Sequence, residues 1–285
     1  MKEDFVLAGI VMYNPEEKRL YENIKELAKQ VDDIILVDNA SENIKRVLFK
    51  MPDEVKARIN CIQNKENQGI AMALKQIMDY AKKNNYEWVL TLDQDSIIEH
   101  GLIEKYCEVA CLEEYQDVGM FTCLIKDRNF KDLKYEKQDR AVIEVPYCIT
   151  SAAFTNVKKY FETKGYDINF FIDCVDFDIC YSLREQGYRI CRIDYIGLYH
   201  EVGHGENRRF FGKQIVVYHQ LPFRIYYLSR NTIWLNIKHK RMFPMLKMYK
   251  KMIALFLRII LYEDCKKEKW REFRCGIKNS RKYVR

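Results

Sequence analysis

Residues 86–96 read YEWVLTLDQDS. A short apolar run, WVLTL, ends in two carboxylates two positions apart, Asp93 and Asp95, and IIEHGLIEKY after it has the look of a helix start. An apolar run of that length bounded by polar residues fits a strand buried on both faces. Two explanations compete for the acids at its end. One is a solvated strand end or helix cap; the other is a site for a metal ion and a phosphate.

Working outward, the same punctuation recurs. FVLAGIVM (5–12) is a continuous apolar run that stops at Tyr13, Asn14 and Pro15, and Leu20, Ile24, Leu27 and Val31 follow at helical spacing. IILVD (34–38) is a second strand with DNAS as its turn, ARINCIQN (57–64) a third, and NQG opens the helix IAMALKQIMDYAKK. Strands alternating with helices predict an α/β sheet, largely parallel, covered by helices on both sides. In such sheets functional residues collect at the carboxyl ends of strands. Tyr13–Asn14, Asp38–Asn39 and Asp93–Asp95 all fall there. After residue 120 the expected order is a strand (VGMFTCLI), a polar loop (127–141), then IEVPYCITSAAFT as strand, turn and helix start. A helix ending at Gly187 and a strand ending at His200 come next. From about residue 216 the chain looks helical and basic.

Composition narrows the class. Hydrophobic residues make up 48% of the 285, enough for a sizeable core, so disorder is excluded. Ten cysteines are scattered without a CxxC pair, and MKEDFVLAGIVMYN lacks the pattern of an export signal. Reduced cytosolic thiols are expected, with neither a disulfide framework nor a zinc site. From Arg208 onward 21 Lys and Arg face four acids, a net +17, whereas the first 207 residues carry 27 basic and 37 acidic residues, a net −10. A basic tail on an acidic body points to a polyanionic partner: a membrane surface, a diphosphate or a nucleic acid. The longest apolar stretch in the tail, MIALFL, is too short for a span of about 20 residues.

Hard cations such as Mg²⁺ and Mn²⁺ take carboxylates plus substrate phosphates, which Asp93 and Asp95 can supply. No GxxxxGK[ST] and no GxGxxG occurs, so a P-loop enzyme and a dinucleotide dehydrogenase are disfavoured. A second acidic cluster, Asp173, Asp176 and Asp178 in FIDCVDFDIC, sits at a helix mouth. It either complements the helix dipole or supplies a general base, with Asp176 first and Asp173 second. His200 can complete a divalent-metal shell or be structural, and His204 reads as a loop histidine. Arg230 in YYLSRNTIWL can hold a diphosphate in bidentate fashion or lie on a helix surface.

Taken in order, VMYNP, VDNAS, NQGIAMAL, TLDQDS, ITSAAF, FIDCVDFDIC with REQGY, and YH-x-x-G resemble the inverting family-2 glycosyltransferases, over about residues 5–240. LDQDS, FID-x-VD and YYL-x-RN-x-IWL are most similar to bacterial rhamnosyltransferases. The resemblance implies a nucleotide-sugar-binding GT-A fold over residues 1–215, with a basic helical region at 216–285. It implies that Tyr13, Asn14 and Asp38 lie near the nucleotide base and that Asn67 and Gly69 lie along the nucleotide-sugar. Asp93 and Asp95 match the Asp-x-Asp motif, Asp95 being the more direct metal ligand, and His200 matches a histidine that reaches the metal in several relatives. Asp176 matches the catalytic base. Two positions depart from the pattern: Val175 stands where Glu is usual, and Ser182 where Arg is common, with Arg184 two residues on.

The function so implied is transfer of a sugar, L-rhamnose from dTDP-rhamnose by preference, to a hydroxyl of a glycan or lipid-diphosphate-linked glycan in cell-surface polysaccharide synthesis, with Mn or Mg as cofactor. UDP-hexose and UDP-galactofuranose remain open as donors. A cytoplasmic enzyme is expected, with contact to an anionic membrane face through LKMYKKMIALFLRIILY; a homodimer is allowed, and no nucleic acid partner is expected. A sugar-phosphate nucleotidyltransferase is the second enzyme class, disfavoured because VMYNPEEKRL has no glycine. A nucleic-acid-binding protein is the third class, disfavoured by the acidic body.

Overall fold

The computed structural model describes residues 6–31, 33–49, 51–127, 141–200, 206–210 and 213–282, with the side chains of Asp127, His200 and most of 206–216 outside the description. His204 and nearly all of the polar stretch 127–141 also lie outside the described residues. The chain forms two compact units: Met1–Ile168 with Ile179–Glu201, and Asn169–Asp178 with Val202–Arg285. The stretch 169–178, expected within the catalytic domain, thus clusters with the C-terminal helices.

The first unit begins with β1 (Val6–Met12), α1 (Glu17–Leu27), β2 (Asp33–Asp38), the short helices α2 (Ile44–Phe49) and α3 (Asp53–Lys56), and β3 (Ile59–Gln63). It continues through α4 (Ile70–Lys83), β4 (Trp88–Asp93), β5 (Ile97–Ile98), α5 (Leu102–Ala110), β6 (Val118–Asp127), β7 (Val142–Glu144), β8 (Ala153–Asn156) and α6 (Val157–Phe161). The part of helix α7 (Val175–Glu185) from Ile179 onward and strand β9 (Arg189–His200) come last, the first turn of α7 falling in the second unit. The sheet runs β3-β2-β1-β4-β8-β6-β9-β5, with β7 also on β9. β1 pairs parallel with both β2 and β4, and β2 with β3. β8 then runs against both β4 and β6, so the sheet is mixed.

All seven residues of β1 are buried, as a central strand requires. Helix α1 turns Leu20, Ile24 and Leu27 inward at helical spacing. Trp88 of β4 stacks on Phe154 of β8 at 4.8 Å, Phe154 stacks on Tyr106 of α5 at 5.0 Å, and the Tyr106 hydroxyl donates to the Ala152 carbonyl at 2.8 Å. This packing corrects one expectation. AFTN does not start a helix; it is a strand buried on both faces, and α6 begins only at Val157. A four-residue buried run carries no periodicity that separates strand from helix.

The second unit holds the hairpin β10 (Glu206–Phe210) and β11 (Lys213–Val217), then α8 (Pro222–Lys238), α9 (Met245–Leu261) and α10 (Lys266–Asn279). Pro222 opens α8, where a missing N–H costs nothing. Among the described residues no helix is long and apolar enough to cross a membrane. Helices α8 and α10 approach closely at Gly276, where an added Cβ would stand 2.5 Å from the Tyr226 carbonyl oxygen and closer still to Ser229 Oγ. Gly276→Ala is therefore expected to destabilise the protein by about 1–3 kcal/mol, measured by denaturant unfolding.

Candidate active site

Three parallel strands end side by side at one edge of the first unit, and short polar side chains stitch their turns together. Gln94, the middle residue of Asp93-Gln94-Asp95, accepts from the Tyr13 backbone N–H at 2.8 Å and donates back to the Tyr13 carbonyl at 3.2 Å. The Asn14 N–H donates to Ser41 Oγ at 2.7 Å, and Asn14 Oδ1 accepts from the Glu42 N–H at 2.9 Å. The Ser41 hydroxyl in turn bonds the Asp38 carboxylate. Asn39, buried, donates to the Gly69 carbonyl at 3.1 Å and accepts from Asn64 at 3.0 Å. Asn67 Oδ1 accepts from the Gly69 N–H at 2.9 Å. Gly69 has φ +84°, a conformation that side chains disfavour, and it opens α4. Tyr13, Asn14, Asp38, Asn67, Gly69 and Asp93 thus share one hydrogen-bonded edge, with Tyr13, Asn14 and Asn67 exposed.

Behind the Asp93–Asp95 turn lies a buried hydroxyl cluster. Ser151 Oγ donates to Ser96 Oγ at 2.8 Å and accepts from the Asp93 N–H at 3.3 Å. Asn23 of α1 donates to the Asp93 carbonyl at 2.9 Å, and the Ser96 N–H donates to that same carbonyl at 3.2 Å. The turn backbone is therefore fixed from three sides, and both carboxylate-bearing residues stay partly accessible. Strand β9 pairs Tyr199 with Ile97, which carries its last residue, His200, to the end of the ladder beside this turn. Asp38 is only 2% exposed and its carboxylate closes the 38–41 turn, so it is far less open than a role at the base edge suggests.

The second acidic cluster lies in the second unit and is built from a loop in an unusual conformation. Phe171, Asp173 and Cys174 all have φ between +62° and +64°. The Asn231 amide of α8 holds this loop by donating to the carbonyls of Phe170, Ile172 and Asp173 at 2.8, 2.7 and 3.0 Å. Arg230 donates to the Asn169 carbonyl at 2.6 Å and the Phe170 carbonyl at 3.3 Å, with its guanidinium 3.9 Å from the Trp234 ring. At 9% exposure, with the guanidinium committed to carbonyls and rings, Arg230 braces the loop. Of the donors a diphosphate clamp would use, Nη2 is turned onto these backbone carbonyls and Nε onto Asn231 Oδ1 at 3.0 Å.

The three acids of the cluster now separate. Asp173 forms a two-point pair with Arg224, Oδ1 to Nη2 at 2.5 Å and Oδ2 to Nε at 3.3 Å. Asp178 is buried and bonded by Lys238 Nζ at 2.9 Å, with His239 Nε2 at 2.8 Å. Asp176, in the first turn of α7, is partly accessible yet surrounded by protein mass, and burial pushes its carboxyl up to about 6. Backbone N–H groups of Phe177 and Asp176 oppose that rise; the charge of Asp173 adds to it and that of Lys251 opposes it. Lys251 of α9 stands 4.0 Å above the Phe177 ring, and burial depresses its own ammonium. Next to Asp176, the Cys174 thiol is pushed up to about 12 by burial and stays inert.

Gln94, Ser96, Ser151, Asn23 and Asn231 were given no role by sequence, although TLDQDS, ITSAAF and YYLSRNTIWL contain all of them but Asn23. A hydroxyl or amide that holds a turn leaves no spacing signature of its own. Arg184 reaches back to Glu144 and the Pro146 carbonyl, both at 3.3 Å. A further grouping, His219, Glu263 and Asp264, has ligand atoms close enough for a metal, but the ammonium of buried Lys269 already bonds both carboxylates.

The family model described as Glycosyl transferase family 2 matches residues 8–174. The dTDP-rhamnosyl transferase RfbF of Shigella flexneri is 26% identical, the similarity covering 82% of this chain and 80% of that protein. The crystal structure of S. aureus TarS 1-349 superposes with a TM-score of 0.65 at 12% identity, over 96% of this chain and 80% of that one. GalNAc-T7 with UDP, GalNAc and Mn²⁺ gives 0.58 at 15% identity, over 73% and 44%. At such identities the two structures establish the fold, a GT-A-like mixed α/β sheet flanked by helices.

The raised carboxyl of Asp176 has a consequence for stability. Its folded value, about 6, lies above the ordinary 3.8, so the folded state holds this proton more tightly than the unfolded chain does. The stabilisation is complete below the unfolded value and is lost as pH rises through the folded one. Asp176→Asn escapes that loss. Its stability relative to the parent is expected to climb by about 2 kcal/mol between about pH 4 and pH 7, followed by denaturant unfolding across that range.

Proposed function

Because this chain belongs to glycosyl transferase family 2, and is therefore a glycosyltransferase, we propose that it moves L-rhamnose from dTDP-rhamnose to a hydroxyl of a glycan or lipid-diphosphate-linked glycan, inverting the anomeric carbon. The observation that carries the mechanism is the environment of Asp176. A carboxylate with a value near 6 is ionised at neutral pH yet basic enough to take a proton, as a general base requires. In the proposed step the acceptor oxygen attacks the anomeric carbon opposite the nucleotide, and the bond to the diphosphate oxygen breaks. The acceptor's proton passes to a carboxylate oxygen of Asp176. Asp173 is the weaker candidate for this role, since Arg224 occupies both of its oxygens.

The turn Asp93-Gln94-Asp95 offers an all-oxygen donor set on a backbone fixed by Ser151, Asn23 and Ser96, which suits a hard divalent cation. Asp93 and Asp95 would hold Mn²⁺ or Mg²⁺, with His200 as the third ligand. When bound, the ion neutralises the charge that develops on the departing diphosphate. Exposed Tyr13, Asn14 and Asn67, beside Asp38 and Gly69, form the edge on which the nucleoside would rest. The rhamnosyl donor is supported by the relative named as a dTDP-rhamnosyl transferase. UDP-hexose and UDP-galactofuranose are the competing donors. A lipid-linked acceptor would bring the enzyme to the cytoplasmic face of a membrane.

Melting curves with a panel of nucleotide-sugars, with and without Mn²⁺ or Mg²⁺, test the donor. dTDP-rhamnose with metal is expected to raise Tm, by an amount that grows with ligand concentration over Kd. Asp95→Ala should lose the metal-dependent part of the shift. A UDP-sugar that stabilises instead would reassign the donor, and a panel in which no nucleoside diphosphate shifts the melt would sink the proposal. Asp176→Asn is expected to keep the donor-induced shift while kcat falls about a hundredfold or more. In the parent, kcat should rise with pH through about 6, as the base loses its proton.

A further inference from the structure

Helix α9 carries two apolar rows, one buried and one exposed. Met248, Met252, Leu255 and Ile259 are buried, and buried Phe273 and half-buried Phe256 pack beside them. Leu246, Tyr249, Ile253 and Ile260, at offsets of 3, 7 and 14 residues, lie along the other face. Leu246 is 67% exposed and Ile253 57%. Trp270 of α10 extends this outer stripe, its ring 5.3 Å from Phe256 and stacked at 5.6 Å on Phe273, while 40% of it stays exposed. A soluble helix ordinarily turns polar residues outward, so an outer apolar row with an aromatic at its flank marks an interaction surface.

We propose that this outer face of α9 lies in the headgroup region of an anionic lipid bilayer. Charge selects the occupant. Helix α9 contains Lys247, Lys250, Lys251 and Arg258 and no acid, and exposed Lys250 stands next to Tyr249 on the outer side. A second copy docked on the same stripe would bring two such basic flanks together with no acid of α9 to answer them. An anionic surface answers them directly, and an amphipathic helix with Trp and Tyr at its margins is the form that lies in the plane of an interface. The helix, 17 residues long, is too short to span the bilayer. Lys251 takes no part, because its ammonium is held against Phe177 and Phe243.

The proposal builds on the lipid-linked acceptor inferred above, but its test needs neither donor nor metal, so each can fail without the other. Full-length protein is centrifuged with vesicles of phosphatidylcholine alone or with added phosphatidylglycerol, at low and high salt. Binding is expected only to the anionic vesicles and is expected to weaken with salt. The pair Leu246→Glu with Ile253→Glu should lower the bound fraction about tenfold, and Lys250→Glu should weaken it less, both with unchanged far-UV circular dichroism. Should the double variant fail to fold, the lipid-composition and Lys250→Glu arms still decide. Absence of sedimentation with anionic vesicles, or binding untouched by these variants, would overturn the proposal. So would lipid-free dimerisation that the glutamates abolish, since the face would then belong to a second copy.

Discussion

Three carbonyl oxygens, those of Phe170, Ile172 and Asp173, converge on the buried amide of Asn231. The loop they belong to places Phe171, Asp173 and Cys174 in the left-handed region, which costs on the order of 1 kcal/mol for each side-chain-bearing residue. No local preference would hold such a loop. It persists because α8 supplies donors at the right points: two N–H groups of Asn231 shared among three acceptors, and the Arg230 guanidinium on the Asn169 carbonyl and again on that of Phe170. Helix α7 starts where this loop ends, so the direction of Asp176 follows from a contact made more than fifty residues further along the chain.

Three acids in six residues end in three different states because their partners differ. Arg224 pairs with Asp173 through both oxygens, and Lys238 and His239 enclose Asp178. Among the described residues no cation pairs with Asp176 in this way; Lys251 acts on it as a nearby charge, opposing burial without cancelling it. The outcome is a carboxylate whose ionised form burdens the fold at neutral pH. In the proposed role of Asp176 as base, stability and chemistry would pull against each other at this position.

The Asp93–Asp95 turn follows a different logic, in which rigidity comes from small polar groups. Gln94 ties the end of β4 to the end of β1, and Ser151 and Ser96 support it from beneath. The residue between the two acids is thus a structural tie, while the acids stay partly accessible. Arg230 shows the reverse case. Its chemistry suits a diphosphate, yet the fold spends it on backbone carbonyls, because a loop with so many inward-facing carbonyls needs a multidentate donor.

Sequence alone determined the strand–helix alternation, the strands β1, β2 and β4, and the collection of Tyr13, Asn14, Asp38 and Asp93 at one carboxyl edge. These follow from apolar runs and their punctuation, which are local properties. It also singled out LDQDS and the FIDCVDFDIC acids. The antiparallel strand Ala153–Asn156 was not legible, because a short run buried on both faces reads alike as helix or strand. The hairpin 206–217 and the short helices α2 and α3 carried too little pattern to be seen. Only the tertiary structure decided which of Asp173, Asp176 and Asp178 keeps an unneutralised carboxyl, and that Arg230 serves the loop. Those outcomes depend on which side chains of α8 and α9 arrive beside residues 169–178. Burial and pairing across that distance are set by packing, which no stretch of sequence carries by itself.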